Sequence, residues 1–256
     1  MNRILRMYAP SLIGDHTLCY LHSDSQGKST VNEVPLKLNY THCGEALAET
    51  ECEGFMTLVL PSGILLEDGD FLFVKEYETL LRWKEAEKCF EVINNGFIGL
   101  SDKIEILKPL KTAILSVNTS ENEATPDFSF LAGKIAGEVT EVRNVTNTME
   151  EIKAAVTELA DKGNDLIITT GGVGITEKDI VPEAVTEASD RVIPGFGEVM
   201  RIKNLMNRPE MILNRSMAAV AGSTLIICLP GNVKDATECF SSISAAIRPA
   251  VEKIKK

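Results

Sequence analysis

Three short apolar runs constrain this chain most: residues 113–117 (Ala-Ile-Leu-Ser-Val), 166–170 (Leu-Ile-Ile-Thr-Thr) and 225–229 (Leu-Ile-Ile-Cys-Leu). A strand that is apolar at nearly every position, instead of at every second one, is buried on both faces, as in parallel sheets covered by helices. The intervening segments supply those helices. Met149, Ile152, Val156 and Leu159 recur at helical spacing, and after Asn232 a stripe of Ala236, Cys239, Phe240, Ile243, Ile247, Ala250, Val251 and Ile254 continues towards Lys256. Strands alternating with helices predict an α/β domain with a mostly parallel sheet, whose ligands sit in crevices beyond the carboxyl ends of the strands.

The texture changes near Lys108 and Pro109, which predicts one domain over 1–108 and a second over 109–256. The first part reads as strands at 17–22, 34–40, 55–60 and 70–75, with turn residues at Pro61, Ser62, Gly63, Asp68 and Gly69. From Leu80 to Ile93 the apolar positions Leu80, Leu81, Trp83, Ala86, Phe90 and Ile93 predict one helix laid on that sheet. A smaller, β-rich α+β domain follows, which contacts a partner or shapes access to the crevice of the second domain.

With 26 Lys and Arg against 37 Asp and Glu, the net charge of −11 removes the field that gathers phosphate backbones, so nucleic acid is excluded as a partner. The six cysteines form no CxxC pair and read as reduced thiols. Met1–Pro10 lacks the apolar core of a signal sequence and no run suffices to span a bilayer, so the expectation is a cytoplasmic protein with no membrane contact. The three histidines, His16, His22 and His42, all precede the second domain, which must do any acid or base work without one. His16, His22 and His42 with Cys19, Cys43 and Cys52 invite a metal reading, but a strand over 17–22 would turn Cys19 away from His16 and His22. Glu45, Glu49, Glu51 and Glu53 form a solvated face or a docking surface for a basic partner.

Two loops of the second domain could carry chemistry. Thr169-Thr170-Gly171-Gly172-Val173-Gly174 directly follows an apolar run, and its glycines allow several backbone N–H groups to converge on one anion. A plain strand-to-helix turn is the alternative. Leu229-Pro230-Gly231-Asn232 opens the final helix, where unpaired N–H groups favour an anion, or where Gly231 and Asn232 are only a turn and a cap. Between the loops lies Asp179, either a hard oxygen ligand for Mg²⁺ or a cap. Glu198 and Arg201 share one helix face and could pair with each other.

Taken together, Thr169 to Asp179, Pro182-Glu183-Ala184, Ile193-Pro194-Gly195-Phe196-Gly197-Glu198 with Met200-Arg201, and Leu229-Pro230-Gly231-Asn232 resemble the molybdopterin-binding domain family. The resemblance covers about 109–256. It implies a three-layer α/β sandwich with a mostly parallel sheet, a homotrimer, and a dithiolene pterin or molybdenum cofactor held by its terminal phosphate in the glycine loop. In the adenylyltransferases of that family an acidic pair and Mg²⁺ assist attack of this phosphate on ATP, chemistry that needs positioning and charge neutralisation rather than histidine.

Carried over by position, the resemblance makes Thr170, Gly171, Gly172, Val173 and Gly174 the phosphate loop, Asp179 the second acid and the metal ligand, and Asn147 the place of the first acid. Asp127, Ser129 and Arg215 join the cofactor site, and Pro230, Gly231 and Asn232 close its opposite wall. The departures are Asn147, which carries no charge; Val173, which lacks a hydroxyl towards the ligand; Val181 before Pro182; Val233 after Asn232; and Asn214 before Arg215. Three functions follow. The first is a molybdopterin or molybdenum cofactor binding protein in cofactor biosynthesis or handling; the second is an active Mg-ATP-dependent molybdopterin adenylyltransferase; the third is a non-catalytic trimeric scaffold. Expected partners are the pterin phosphate and a molybdenum or tungsten enzyme, or another protein of cofactor biosynthesis.

Overall fold

The computed structural model describes residues 3–4, 6–8, 18–23, 29–31, 34–35, 37–42, 55–60, 65–74, 78–94, 96–99, 103–118, 125–206 and 208–256. They fall into two compact units, Met1–Pro109 and Leu110–Lys256.

The first unit contributes strands β1 (Arg3–Ile4), β2 (Arg6–Tyr8), β3 (Leu18–Ser23), β4 (Ser29–Val31), β5 (Val34–Pro35), β6 (Lys37–His42), β7 (Phe55–Leu60), β8 (Phe71–Val74), β9 (Thr79–Lys84), β10 (Cys89–Asn94), β11 (Gly96–Gly99) and β12 (Lys103–Leu107). Eight form one sheet in the order β1-β12-β8-β9-β10-β6-β7-β2, and four form another in the order β11-β3-β4-β5. Among the described residues of this unit, only β6 and β7 pair in parallel.

The expected helix over 80–93 is instead the hairpin β9–β10, a correction with a clear physical cause. Glu85-Ala86-Glu87-Lys88 is a turn, with Lys88 at φ 51°, and the apolar positions on either side alternate as strands do. Trp83 and Phe90 stand directly opposite each other across the hairpin, their rings edge to face at 5.0 Å. Both are 2% exposed, so the pair anchors the core of this unit. The spacing of three and four in the sequence arises from a tight turn between two period-two segments. His16, Cys43 and Cys52 of the metal reading, and Glu45, Glu49, Glu51 and Glu53, lie outside the described residues.

The second unit runs β13 (Leu110–Asn118), α1 (Phe130–Gly133), β14 (Gly137–Thr146), α2 (Met149–Asp161), β15 (Leu166–Thr170), α3 (Val181–Glu187), β16 (Arg191–Val192), α4 (Pro194–Leu205), a 3-10 turn at Pro209–Leu213, β17 (Met217–Ala221), β18 (Thr224–Leu229) and α5 (Val233–Ile254). Its sheet has the order β14-β13-β15-β18-β17-β16. The first four strands are parallel; β17 and β16 are added antiparallel.

The three central apolar runs are β13, β15 and β18, and alternate residues feed opposite faces. Ile114, Ile168 and Ile227 join Phe196 and Met200 of α4 and Phe240, Ile243 and Ile247 of α5 on one side. Leu115, Ile167 and Ile226 join Ile152, Val156 and Leu159 of α2 and Val181, Ala184 and Val185 of α3 on the other. Each fully buried aliphatic side chain contributes about 1.5–3 kcal/mol, which locks the three-layer order helix–sheet–helix. The chain leaves β13 towards β14 at one edge and leaves β15 towards β18 on the other side. The carboxyl ends of β13 and β15 therefore flank a point where the winding reverses, the usual place for a ligand crevice in such sheets. No helix of the described residues is long and apolar enough to cross a membrane.

Candidate functional site

At that reversal the loop after β15 is held by backbone. Thr170, 2% exposed, donates its hydroxyl to Ser116 Oγ of β13 at 3.2 Å, and Gly171 N–H donates to the Leu229 carbonyl of β18 at 3.0 Å. Gly171 and Gly172 both have positive φ, at 98° and 61°. A methyl group on Gly171 would lie 2.5 Å from the Val117 carbonyl oxygen, and one on Gly172 would lie 2.6 Å from Val181 Cγ2. No L side chain fits either place, so the N–H groups line the crevice without obstruction. The second loop closes on the first: a methyl group on Gly231 would lie 3.2 Å from Gly171 Cα. The two glycine loops thus form one continuous backbone cradle, of a kind that suits a phosphate.

Val173 faces away from this cradle. Its side chain is 4% exposed and belongs to the core beneath α2 and α3, so the expected contact of position 173 with ligand is limited to backbone.

Asp179 stands over the far end of the loop. Its Oδ2 accepts from Thr176 N–H at 2.9 Å and from the Thr176 hydroxyl at 2.6 Å, and it would touch any side chain at Gly174. Burial pushes the carboxyl pKa up, but the Thr176 bonds, the Gly174 backbone and the Arg215 charge together hold it below its ordinary value. Asp179 is therefore ionised throughout the neutral range. Asn147 reaches the same turn from the end of β14, its Nδ2 donating to the Lys178 carbonyl. Asn147, Gly172 and Asp179 thus meet at one turn.

Arg215 bonds the loop itself. Nε donates to the Gly174 carbonyl at 2.6 Å, while the two terminal nitrogens bond the Asp179 carbonyl and the Glu183 carboxylate. Its backbone N–H donates to the Val173 carbonyl at 2.8 Å. The guanidinium is committed to carbonyls of the loop and to the Glu183 carboxylate.

Asn232 is also occupied: it caps α5, Oδ1 accepting from Asp235 N–H at 2.8 Å while Nδ2 donates to Asp235 Oδ2 at 2.7 Å. Asp235 is in turn paired with Arg208, the main reason its pKa lies below the ordinary value. Pro230 is buried and Gly231 exposed, so Gly231 presents the wall of this loop. Asp127 and Ser129 bond each other at the start of α1, Ser129 N–H donating to Asp127 Oδ1 at 2.8 Å. Glu198 forms no pair with Arg201, whose guanidinium instead donates to the Asn214 and Ser216 carbonyls at 3.2 and 3.1 Å. Thr176 and Ser116 were not foreseen. Thr176 had a signal in its spacing of three from Asp179, whereas Ser116 depends on a cross-strand register that sequence does not print.

A divalent cation would find the single carboxylate of Asp179 here, already bonded to Thr176, and among the described residues no group of three His, Cys, Asp or Glu side chains gathers to hold a metal. Such an ion fits only if phosphate oxygens of its substrate complete the shell, as is usual for Mg²⁺.

The sequence model of the family described as "Probable molybdopterin binding domain" matches residues 112–252. The chain belongs to this family. Among curated proteins, the molybdopterin adenylyltransferase of Helicobacter pylori is 37% identical over 111 residues, 43% of this chain and 63% of that protein. That of Escherichia coli K12 is 35% identical over 107 residues, 41% and 55% respectively. The match thus covers less than two thirds of these relatives' length. Among solved structures, the molybdopterin biosynthesis enzyme MoaB of Thermus thermophilus superposes with a TM-score of 0.53 at 32% identity, covering 57% of this chain and 96% of that one. The tungsten cofactor synthesizing protein MoaB of Pyrococcus furiosus gives 0.52 at 25% identity, covering 59% and 99%. The molybdopterin-binding domain is therefore the second unit of this chain, with the three-layer α/β fold that the resemblance implies.

Proposed function

We propose that this protein binds molybdopterin or the finished molybdenum cofactor and acts in the biosynthesis or handling of that cofactor. The contact of Gly171 with Gly231 carries the reading, because it joins the loops that leave two neighbouring parallel strands, β15 and β18, into one backbone cradle. The terminal phosphate of the pterin lies against the backbone of 172–174, with Gly231 as the facing wall. Thr170 and Arg215 shape the loop, and Asp127 and Ser129 join the cofactor site as the resemblance implies. Residues 1–109 serve as the docking unit for a molybdenum or tungsten enzyme or another protein of cofactor biosynthesis. The apolar side chains exposed on α4 and the following turn, including Ile202, Met206 and Ile212 at 67, 89 and 67%, support packing against further copies, as in the homotrimer that the resemblance implies. Light scattering on the purified protein tests the assembly.

A second reading has its own support in Asp179 and in the adenylyltransferase relatives. There an oxygen of the pterin phosphate attacks the α-phosphorus of ATP, the bond to the pyrophosphate breaks, and Mg-pyrophosphate leaves. Asp179 would hold Mg²⁺ together with phosphate oxygens. Mass analysis of the ligand after incubation with Mg-ATP separates the readings: unchanged molybdopterin supports a binding protein, and an adenylylated product supports the enzyme.

A further inference from the structure

We propose that Asn147 is a positioning residue for Asp179, an amide strap whose donor an ionised carboxylate lacks. The inference rests on reading this crevice as the pterin-phosphate site, and it gives the neutral residue at the place of the first acid a task of its own.

Asn147 is fixed by its own backbone and by the cap that follows it. Its N–H donates to the Asn118 carbonyl at the end of β13 at 3.1 Å, and the next residue, Thr148, caps α2 by accepting from Glu151 N–H at 3.4 Å. From this fixed point Nδ2 donates to the carbonyl of Lys178, the residue before Asp179. Only the nitrogen of an amide can face a carbonyl oxygen, so the orientation of the group is determined by chemistry. Oδ1 is then buried without a hydrogen-bond partner, 3.6 Å from the place of a Gly172 side chain. An unpaired buried acceptor is unfavourable, and it is tolerated here because the nitrogen on the same group is engaged.

From the opposite side Arg215 holds the carbonyls of Gly174 and Asp179. Three carbonyls of the segment 174–179 are thus pinned by two side chains, and Asp179 is aimed by that segment through its bonds to Thr176. Aspartate at 147 has the same shape with no donor. Its carboxylate would face the Lys178 carbonyl, add charge beside Asp179, and release the turn instead of completing an acid pair. The other charged groups around the turn are Glu151, which accepts from Thr146 N–H at 3.0 Å, Glu177 and Lys178 of the turn itself, and the Glu183–Arg215 pair.

Hydrogen exchange read by mass spectrometry on the full chain tests this, comparing wild type, Asn147→Asp and Asn147→Ala at matched pH. The strap predicts about tenfold faster exchange over 174–181 in both variants at pH 7, with α5 unchanged. As the pH falls through the titration of the introduced carboxyl, the protonated acid regains a donor and Asn147→Asp recovers wild-type protection, while Asn147→Ala does not. A side chain that merely fills space gives no such recovery. Wild-type exchange in Asn147→Asp at pH 7, faster exchange spread over the whole second unit, or tighter Mn²⁺ binding in Asn147→Asp would each overturn the proposal. Titration of the wild type with molybdopterin is the separate control: failure there removes the functional reading and leaves the strap standing.

Discussion

Arg215 donates from Nε to the carbonyl of Gly174 at 2.6 Å, and so binds the loop whose front face forms the cradle. Replacing it with alanine leaves the carbonyls of Gly174 and Asp179 without their donors. Arg215→Ala is expected to cost about 1–3 kcal/mol in urea denaturation of the second unit and to weaken molybdopterin binding. Lysine cannot span three acceptors from one plane, so Arg215→Lys recovers only part of the loss.

The glycines of the cradle are unequal. Gly171→Ala sets a methyl group 2.5 Å from the Val117 carbonyl oxygen at φ 98°. A loss of about 2–4 kcal/mol is expected from strain and overlap together. Gly231→Ala meets Gly171 Cα at 3.2 Å, a contact relieved by small shifts. Its melting temperature should stay near that of the wild type while its affinity for molybdopterin falls, which thermal denaturation and calorimetry check.

Asp179 makes stability depend on pH in a fixed direction. Its folded pKa lies below the ordinary value of 3.8, so its contribution is complete above the unfolded carboxylate range and disappears as the pH falls through its own lower value. The difference in urea midpoint between wild type and Asp179→Asn should be constant from pH 8 to about pH 5 and shrink below about pH 4. A difference that grows on acidification would contradict the assignment.

The first unit offers a test of the hairpin. Lys88 has φ 51°, where glycine is at ease, so Lys88→Gly should stabilise the unit by about 0.5–1 kcal/mol. In a helix the same change would destabilise by about 1 kcal/mol. Trp83 is the only tryptophan and is 2% exposed, so its emission is that of a buried indole and shifts to the red when this unit unfolds.

The parallel core was legible because β13, β15 and β18 are buried on both faces, and burial of that kind appears in the sequence as uninterrupted apolar runs. The two glycine loops were legible for a related reason: each follows such a run directly. The hairpin was not, since two alternating segments joined by a four-residue turn imitate a helical spacing from Leu80 to Phe90. The roles of Arg215 and Asn147 were also hidden. Both act on carbonyl oxygens, which every residue carries, so no pattern of side chains announces them. Val173 shows the converse, a loop position whose side chain belongs to the core.

The central claim is that the joined glycine loops hold the pterin phosphate. Calorimetric titration of the metal-free full chain with molybdopterin, with and without Mg-ATP, followed by mass analysis of the recovered ligand, tests it most directly when run beside Gly172→Asp. The account predicts saturable binding by the wild type and its loss in the variant, whose side chain collides with Val181 and so displaces the cradle loop while adding a negative charge beside it. Equal binding by both proteins, or no binding by either, would contradict it.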